Sequence, residues 1–119
     1  MKDVRDLEVF KKAYLISLEI HQSSLLFPKH EQFHGLADQM RRASKGICAN
    51  LAEGFGRQKV SAADFRRFIV MAIGSADEMQ VWLSYCQDLG YIPPVTSQTW
   101  QSSYQEIARM LSGLHTNWT

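Results

Sequence analysis

Apolar residues recur along this chain at intervals of three and four in four separate runs, the spacing that puts them on one face of an α-helix. The first run, residues 5–26, carries Leu7, Phe10, Tyr14, Leu18 and Leu25 on one face and Lys11, Lys12 and Glu19 elsewhere. Phe27-Pro28 ends it, because a proline disfavours helical conformation in the residue before it, and the polar stretch 29–34 reads as a loop. The second run, residues 35–57, has Leu36, Met40, Ala43, Ile47 and Leu51 as its stripe. Gly54 and Gly56 stand where a chain can turn left-handed and close that helix, and Ser61-Ala62-Ala63-Asp64 resembles a capping box opening the next.

The third run, residues 61–89, presents Phe65, Phe68, Ala72, Ala76, Met79, Leu83 and Cys86, stops at Gly90, and is kept from resuming by Pro93 and Pro94. With Thr96 or Ser97 as N-cap, a fourth helix over residues 97–116 carries Trp100, Tyr104, Ile107, Leu111 and Leu114, and the pattern continues to Trp118. No segment alternates with the period of two that a strand requires, and none repeats another. Four helices with short connections predict an all-α fold, an antiparallel up-down-up-down four-helix bundle forming a single domain over residues 1–119. Val9, Ile16, Ile69, Val70, Met71, Val81 and Trp82 fall off the stripes and widen the apolar arcs of the first and third helices. Either the third helix is the central, most buried one, or its second face is a subunit interface, with Val81 and Trp82 as candidates.

At 119 residues, one hydrophobic core is expected. A net charge of +1 argues against nucleic-acid binding driven by total charge. The charge is unevenly placed, however. Residues 29–67 hold eight basic and four acidic side chains, a balance of +4, and the rest hold five and eight, a balance of −3. A symmetric oligomer would repeat such a patch around its axis. Cys48 and Cys86 each sit in an apolar helical pattern with no CxxC pair, and so read as small buried hydrophobes. The opening MKDVRDLEVF lacks the apolar core of a signal peptide, and no run approaches the 18 apolar residues of a bilayer span, which together predict a cytoplasmic protein without membrane association.

Arg41, Arg42 and Lys45 lie off the second stripe and, with Arg57, Lys59, Arg66 and Arg67, gather around the second helix, the turn after it and the start of the third. Guanidinium groups present paired donors that suit phosphate, so these seven are the candidate nucleic-acid contacts; the competing reading is salt bridging and solvation. Asn50, Glu53 and Arg57 lie close together, and Asn50 and Glu53 are expected to cap or cross-link neighbouring elements and hold the Gly54-Phe55-Gly56 turn, with ligand contact as the other reading. His30 and His34 could share a metal only on a helix, and they lie in the expected loop. There is no Ser-His-Asp order, glycine-rich phosphate loop or HExxH motif, and Asp77 and Glu78 point apart on a helix. No catalytic residue, metal or cofactor is therefore expected.

Asp6-Leu7-Glu8-Val9-Phe10-Lys11-Lys12-Ala13, Phe27-Pro28-Lys29, Gly35-Leu36-Ala37-Asp38-Gln39-Met40-Arg41-Arg42-Ala43, Asn50-Leu51-Ala52-Glu53-Gly54-Phe55-Gly56-Arg57, Phe65-Arg66-Arg67-Phe68, Gly74-Ser75 and Asp88-Leu89-Gly90-Tyr91-Ile92 resemble, in order, a bacterial four-helix-bundle family. Its members are encoded within intervening sequences of 23S ribosomal RNA genes or elsewhere in bacterial genomes. The resemblance implies a homo-oligomer, a ring-like pentamer in similar members, without enzymatic activity. A related branch, the accessory proteins of diversity-generating retroelements, partners a reverse transcriptase and uses a basic surface for nucleic acid, which implies RNA or a protein as partner. Gly46-Ile47-Cys48-Ala49-Asn50 stands where the family usually reads Ser-Ile-Pro-Ser-Asn, so a helix-bending proline is missing. Ile73, Gln80 and Trp82 replace a frequent lysine, glutamate and glutamine, which makes the third helix more apolar and favours protein contacts.

Overall fold

The computed structural model describes residues 3–119; residues 1 and 2 of the expected domain lie outside the described residues. The chain forms four α-helices, α1 (Glu8–Ser24), α2 (Leu36–Arg57), α3 (Ala62–Asp88) and α4 (Pro94–Asn117), with short 3-10 helices at Val4–Asp6 and Lys29–Glu31. Among the described residues there is no strand, and one buried cluster draws on all four helices. The fold is all-α. α2 packs on α1 and α3, and α4 packs on α3 and α1, so α1 and α3 lie diagonally across the core from each other.

The apolar stripes of α2 and α3 are buried throughout, and Ile69 joins the second of them. α4 encloses Tyr104, Ile107 and Leu111 and leaves Trp100, Leu114 and Trp118 half-buried against the core. α1 departs from expectation. Its buried face is Val9, Ala13, Ile16 and Ile20, with Ser17 and Ser24, whereas Tyr14, Leu18 and Leu25 are 49%, 48% and 53% exposed. The helix carries two apolar stripes roughly a third of a turn apart, and the one with the small side chains Ala13, Ser17 and Ser24 lets α1 lie close to its neighbours. Leu7 of the expected stripe is buried, and Phe10 is half-buried, stacked on Tyr14 at 6.2 Å.

Two helix ends also differ from the sequence reading. Pro94 opens α4 instead of blocking it, since a proline in the first turn gives up only an amide that has no helical partner and supplies a fitting φ. Ser97 consequently lies inside α4, where its buried hydroxyl donates to the Leu83 carbonyl at 3.0 Å and ties α4 to α3. Gly54 and Gly56 are not a left-handed turn: both lie within α2, and positive φ is found at Gly90 and His34. Ser61 does cap α3, accepting from the Asp64 amide at 3.2 Å.

What Gly54 supplies is room. A β-carbon there would stand 2.6 Å from Phe68 Cβ and 2.8 Å from Phe65 Cδ1, whereas one at Gly56 would meet nothing within 4 Å. Further along the same seam Gly46 faces Ser75, and Met40 Sδ meets Cys86 Sγ at 3.1 Å. Both cysteines are free; burial pushes the Cys48 thiol up to about 11 and, with Glu31 nearby, the Cys86 thiol up to about 12, so both stay protonated at neutral pH. Gly54→Ala should cost about 1–3 kcal/mol through overpacking, whereas Gly56→Ala should be neutral or add up to about 1 kcal/mol through helix propensity. Urea unfolding of the two variants checks this, and equal effects would show that the α2–α3 approach at Gly54 is not tight.

Candidate nucleic-acid interface

The seven basic residues do not converge. They divide between the two ends of α2, where Arg41 and Arg57 are separated by about 24 Å of helix rise. At the C-terminal end Arg57 donates to Glu53 Oε1 at 2.8 Å and stands 3.8 Å from Asp64 Oδ2, while Arg67 donates to Asp64 at 3.3 Å. Both guanidiniums lie over the Phe68 ring, at 5.3 and 4.9 Å from its centroid. Arg66 donates to the Trp118 carbonyl at 2.7 Å, and Lys59 is exposed in the turn between α2 and α3. Glu53 and Asp64 thus pair Arg57 and Arg67, and among the described residues Arg66 and Lys59 have no carboxylate within 4.0 Å.

Asn50 and Glu53 bond within their own helix. Asn50 donates to the Gly46 carbonyl of its own helix at 2.9 Å, and Glu53 bonds Arg57 one turn on. Any link from Glu53 to α3 runs through Arg57 and Asp64.

The N-terminal end differs in that two of its cations reach across to α1. Arg42 is paired with Asp38 at 3.1 Å and holds that carboxyl below its ordinary range. Arg41 instead donates to the Ser24 hydroxyl at 2.9 Å, the Gln32 side-chain oxygen at 3.1 Å and the Gln32 carbonyl at 2.8 Å, all uncharged acceptors. Lys45 Nζ lies 3.1 Å from His21 Nδ1 on α1. Among the described residues neither Arg41 nor Lys45 has a carboxylate within 4.0 Å. Two cations therefore share the α1–α2 groove without a counter-charge.

His21, Ser24 and Gln32 were missing from the sequence reading. A signal for His21 existed, because Tyr14, Leu18, His21 and Leu25 follow spacings of four, three and four, and the histidine interrupts an otherwise apolar stripe. On α3, Val81 is 52% exposed, with Val70, Met71 and Tyr85 also exposed on that helix. Trp82 is half-buried, packs on the core and donates from Nε1 to Glu78 at 3.0 Å.

A family model described as 23S rRNA-intervening sequence protein matches residues 5–113. The chain belongs to that family. A comparison with curated proteins found no match. The matched segment contains the α1–α2 groove and the whole of α3, so both surfaces lie on the family's common framework. α2 runs unbroken for 22 residues, which puts Arg41 and Arg57 on one continuous rod. Among the described residues no helix is long and apolar enough to cross a membrane, and no group of three or more His, Cys, Asp or Glu side chains could hold a metal ion.

Arg41 and Lys45 should respond differently to truncation. Arg41→Ala strands the acceptors of Ser24 and Gln32 and should destabilise the protein by about 1–3 kcal/mol, whereas Lys45→Ala, at an exposed position, should stay within about 0.5 kcal/mol of wild type. Thermal or urea unfolding of each variant decides it; equal losses would mean that Arg41 is not a structural tether.

Proposed function

We propose that this chain is a non-enzymatic subunit of a homo-oligomer that binds structured RNA weakly through phosphate contacts in the α1–α2 groove. The observation that carries the proposal is the pair Arg41 and Lys45, held at fixed positions with uncharged partners only. Cations already matched to carboxylates gain little from a phosphate, because a new contact must first break an old one. Unmatched cations release bound counterions from the nucleic acid at no such cost. Of the seven residues first considered, this favours Arg41 and Lys45 over Arg42, Arg57 and Arg67. Lys59 in the turn and Arg66, bonded only to the Trp118 carbonyl, meet the same criterion singly and serve as auxiliary contacts.

The same reading includes a single domain with antiparallel up-down-up-down helices. Contacts between residues of opposite order support it: Met40 with Cys86 and Gly54 with Phe68, His21 with Lys45 and Ser24 with Arg41, Leu83 with Ser97 and Arg66 with Trp118. A pentamer is the assembly that the family resemblance implies, and a cytoplasmic location accords with two free, protonated thiols.

The test is fluorescence anisotropy of a labelled ribosomal-RNA stem-loop at several salt concentrations, with wild type beside Lys45→Glu. Lys45 is preferable to Arg41 as the site of reversal because its change leaves the Ser24 and Gln32 bonds intact. Binding should weaken steeply with salt, and Lys45→Glu should weaken it further and flatten the salt dependence by about one contact. Absence of binding at low salt would overturn the RNA reading.

A second reading, a scaffold that docks a protein partner, is favoured by the outward face of α3. Val70, Met71, Val81 and Tyr85 are each about half exposed there, and Gly74 sits in mid-helix with nothing within 4 Å of where a β-carbon would stand. A helix interior glycine costs about 1 kcal/mol relative to alanine, and no neighbour within the subunit requires it. If copies of this chain meet on that face, Gly74→Ala should raise monomer stability yet weaken assembly, and Val81→Glu should dissociate the oligomer with helicity retained. Light scattering with circular dichroism reads both; an unchanged mass leaves the face to a different protein or to solvent.

A further inference from the structure

The contact between Lys45 and His21 constrains the protonation state of the groove. An ammonium group only donates hydrogen bonds, so His21 Nδ1 accepts from Lys45 and the ring is neutral, with its proton on Nε2. Protonating that ring would place an imidazolium 3.1 Å from an ammonium, with the Arg41 guanidinium also acting on it. Among the described residues the charged groups acting on His21 are Lys45 and Arg41, both on α2. Desolvation and these two cations hold its pKa below the ordinary histidine value.

Arg41 is oriented for a further partner. Its bonds to Ser24 and Gln32 occupy three of its five N–H groups, all on Nη1 and Nη2, and leave Nε–H and one Nη2–H. Guanidinium N–H groups of this kind donate well to phosphate oxygens. Two cations on α2 and a histidine on α1 are thus brought together with an electrostatic balance that favours an anion.

We propose that His21, Arg41 and Lys45 form a phosphodiester-binding site in which occupancy and protonation of His21 drive each other; this rests on the RNA-binding reading above and adds its regulation. An anion seated between the cations removes the repulsion that keeps His21 neutral. The ring then takes one proton from solvent, and Lys45 turns its donor from Nδ1 to a phosphate oxygen. Linkage fixes the sign. The bound state has the higher His21 pKa and holds more protons between the free and bound values, so affinity rises as pH falls through that window and levels off below the free value.

A phosphodiester does not itself titrate near neutral pH, which makes a short RNA stem-loop carrying a pH-insensitive dye a suitable probe. Its affinity for wild type should strengthen by roughly three- to tenfold from about pH 8 to about pH 5.5, since each unit of pKa shift is worth tenfold. His21→Gln keeps an acceptor for Lys45 and should remove most of that pH dependence, while His30, His34 and His115 remain as internal controls. In parallel, the imidazole resonances of His21 are titrated by NMR with and without inorganic phosphate, and bound phosphate should raise the ring's pKa. RNA binding with the same pH slope in wild type and His21→Gln overturns the coupling and leaves the RNA reading standing. No RNA binding, with the His21 shift still present, retains the anion site and removes the RNA reading. Failure of both removes both.

Discussion

The close approach of α2 and α3 is the constraint on which the rest of the structure depends. It is made possible by the absence of a side chain at Gly54, where Phe65 and Phe68 occupy the space a β-carbon would fill, and it continues through Gly46 against Ser75 and the Met40–Cys86 contact. Close packing at this density has no slack to absorb a methyl group without moving a ring or a helix. Phe65 is in turn the T-shaped partner of both Phe55 and Trp118, so the seam also sets where the end of α4 can lie. With one side of α2 committed to α3, its Arg41 and Lys45 are brought against α1. The groove is a consequence of the seam.

Much of this was legible in the sequence where one periodic stripe was available and no other competed with it. In α2, α3 and α4 the apolar positions at spacings of three and four are the buried ones or lie half-buried against the core. α1 was misread because it has two such stripes, and choosing between them requires the shapes of the helices it meets. Ala13, Ser17 and Ser24 fit against those helices; Tyr14 and Leu18 do not. The local meaning of glycine and proline was also ambiguous. Pro94 has the same character as a terminator or as a first-turn residue, and Gly54 as a turn or as a contact, until the partner helix is in place.

The candidate site was less legible for a different physical reason. Arg41 and Arg57 look equivalent along the chain, yet one is tied to neutral oxygens and the other to Glu53 and Asp64. Pairing of charge is a tertiary property, decided by which residues of α1 and α3 arrive beside α2. The excess of positive charge over residues 29–67 was visible from composition. The uncompensated pair beside α1, Arg41 and Lys45, and the histidine that shares it, emerged only when α1 was packed against α2.

The two surfaces that remain do not compete for space. The outward face of α3 sets Val70, Met71, Val81 and Tyr85 among exposed charges such as Asp77 and Glu78, whereas the groove belongs to α1 and α2, and α1 lies diagonally across the core from α3. A copy docked on α3 would leave the groove facing away from the contact. Each interaction also answers to a different solvent variable: apolar burial persists as salt rises, whereas phosphate contacts weaken with it. An assembly joined through α3 would thus hold several grooves together under the very conditions that loosen each one. Weak single contacts repeated on a common frame can still retain a long RNA, because after the first has formed the others act at high effective concentration. On this arrangement the near-neutral net charge is no obstacle to nucleic-acid binding, since the charge that matters is the small unpaired fraction and the number of times the frame repeats it.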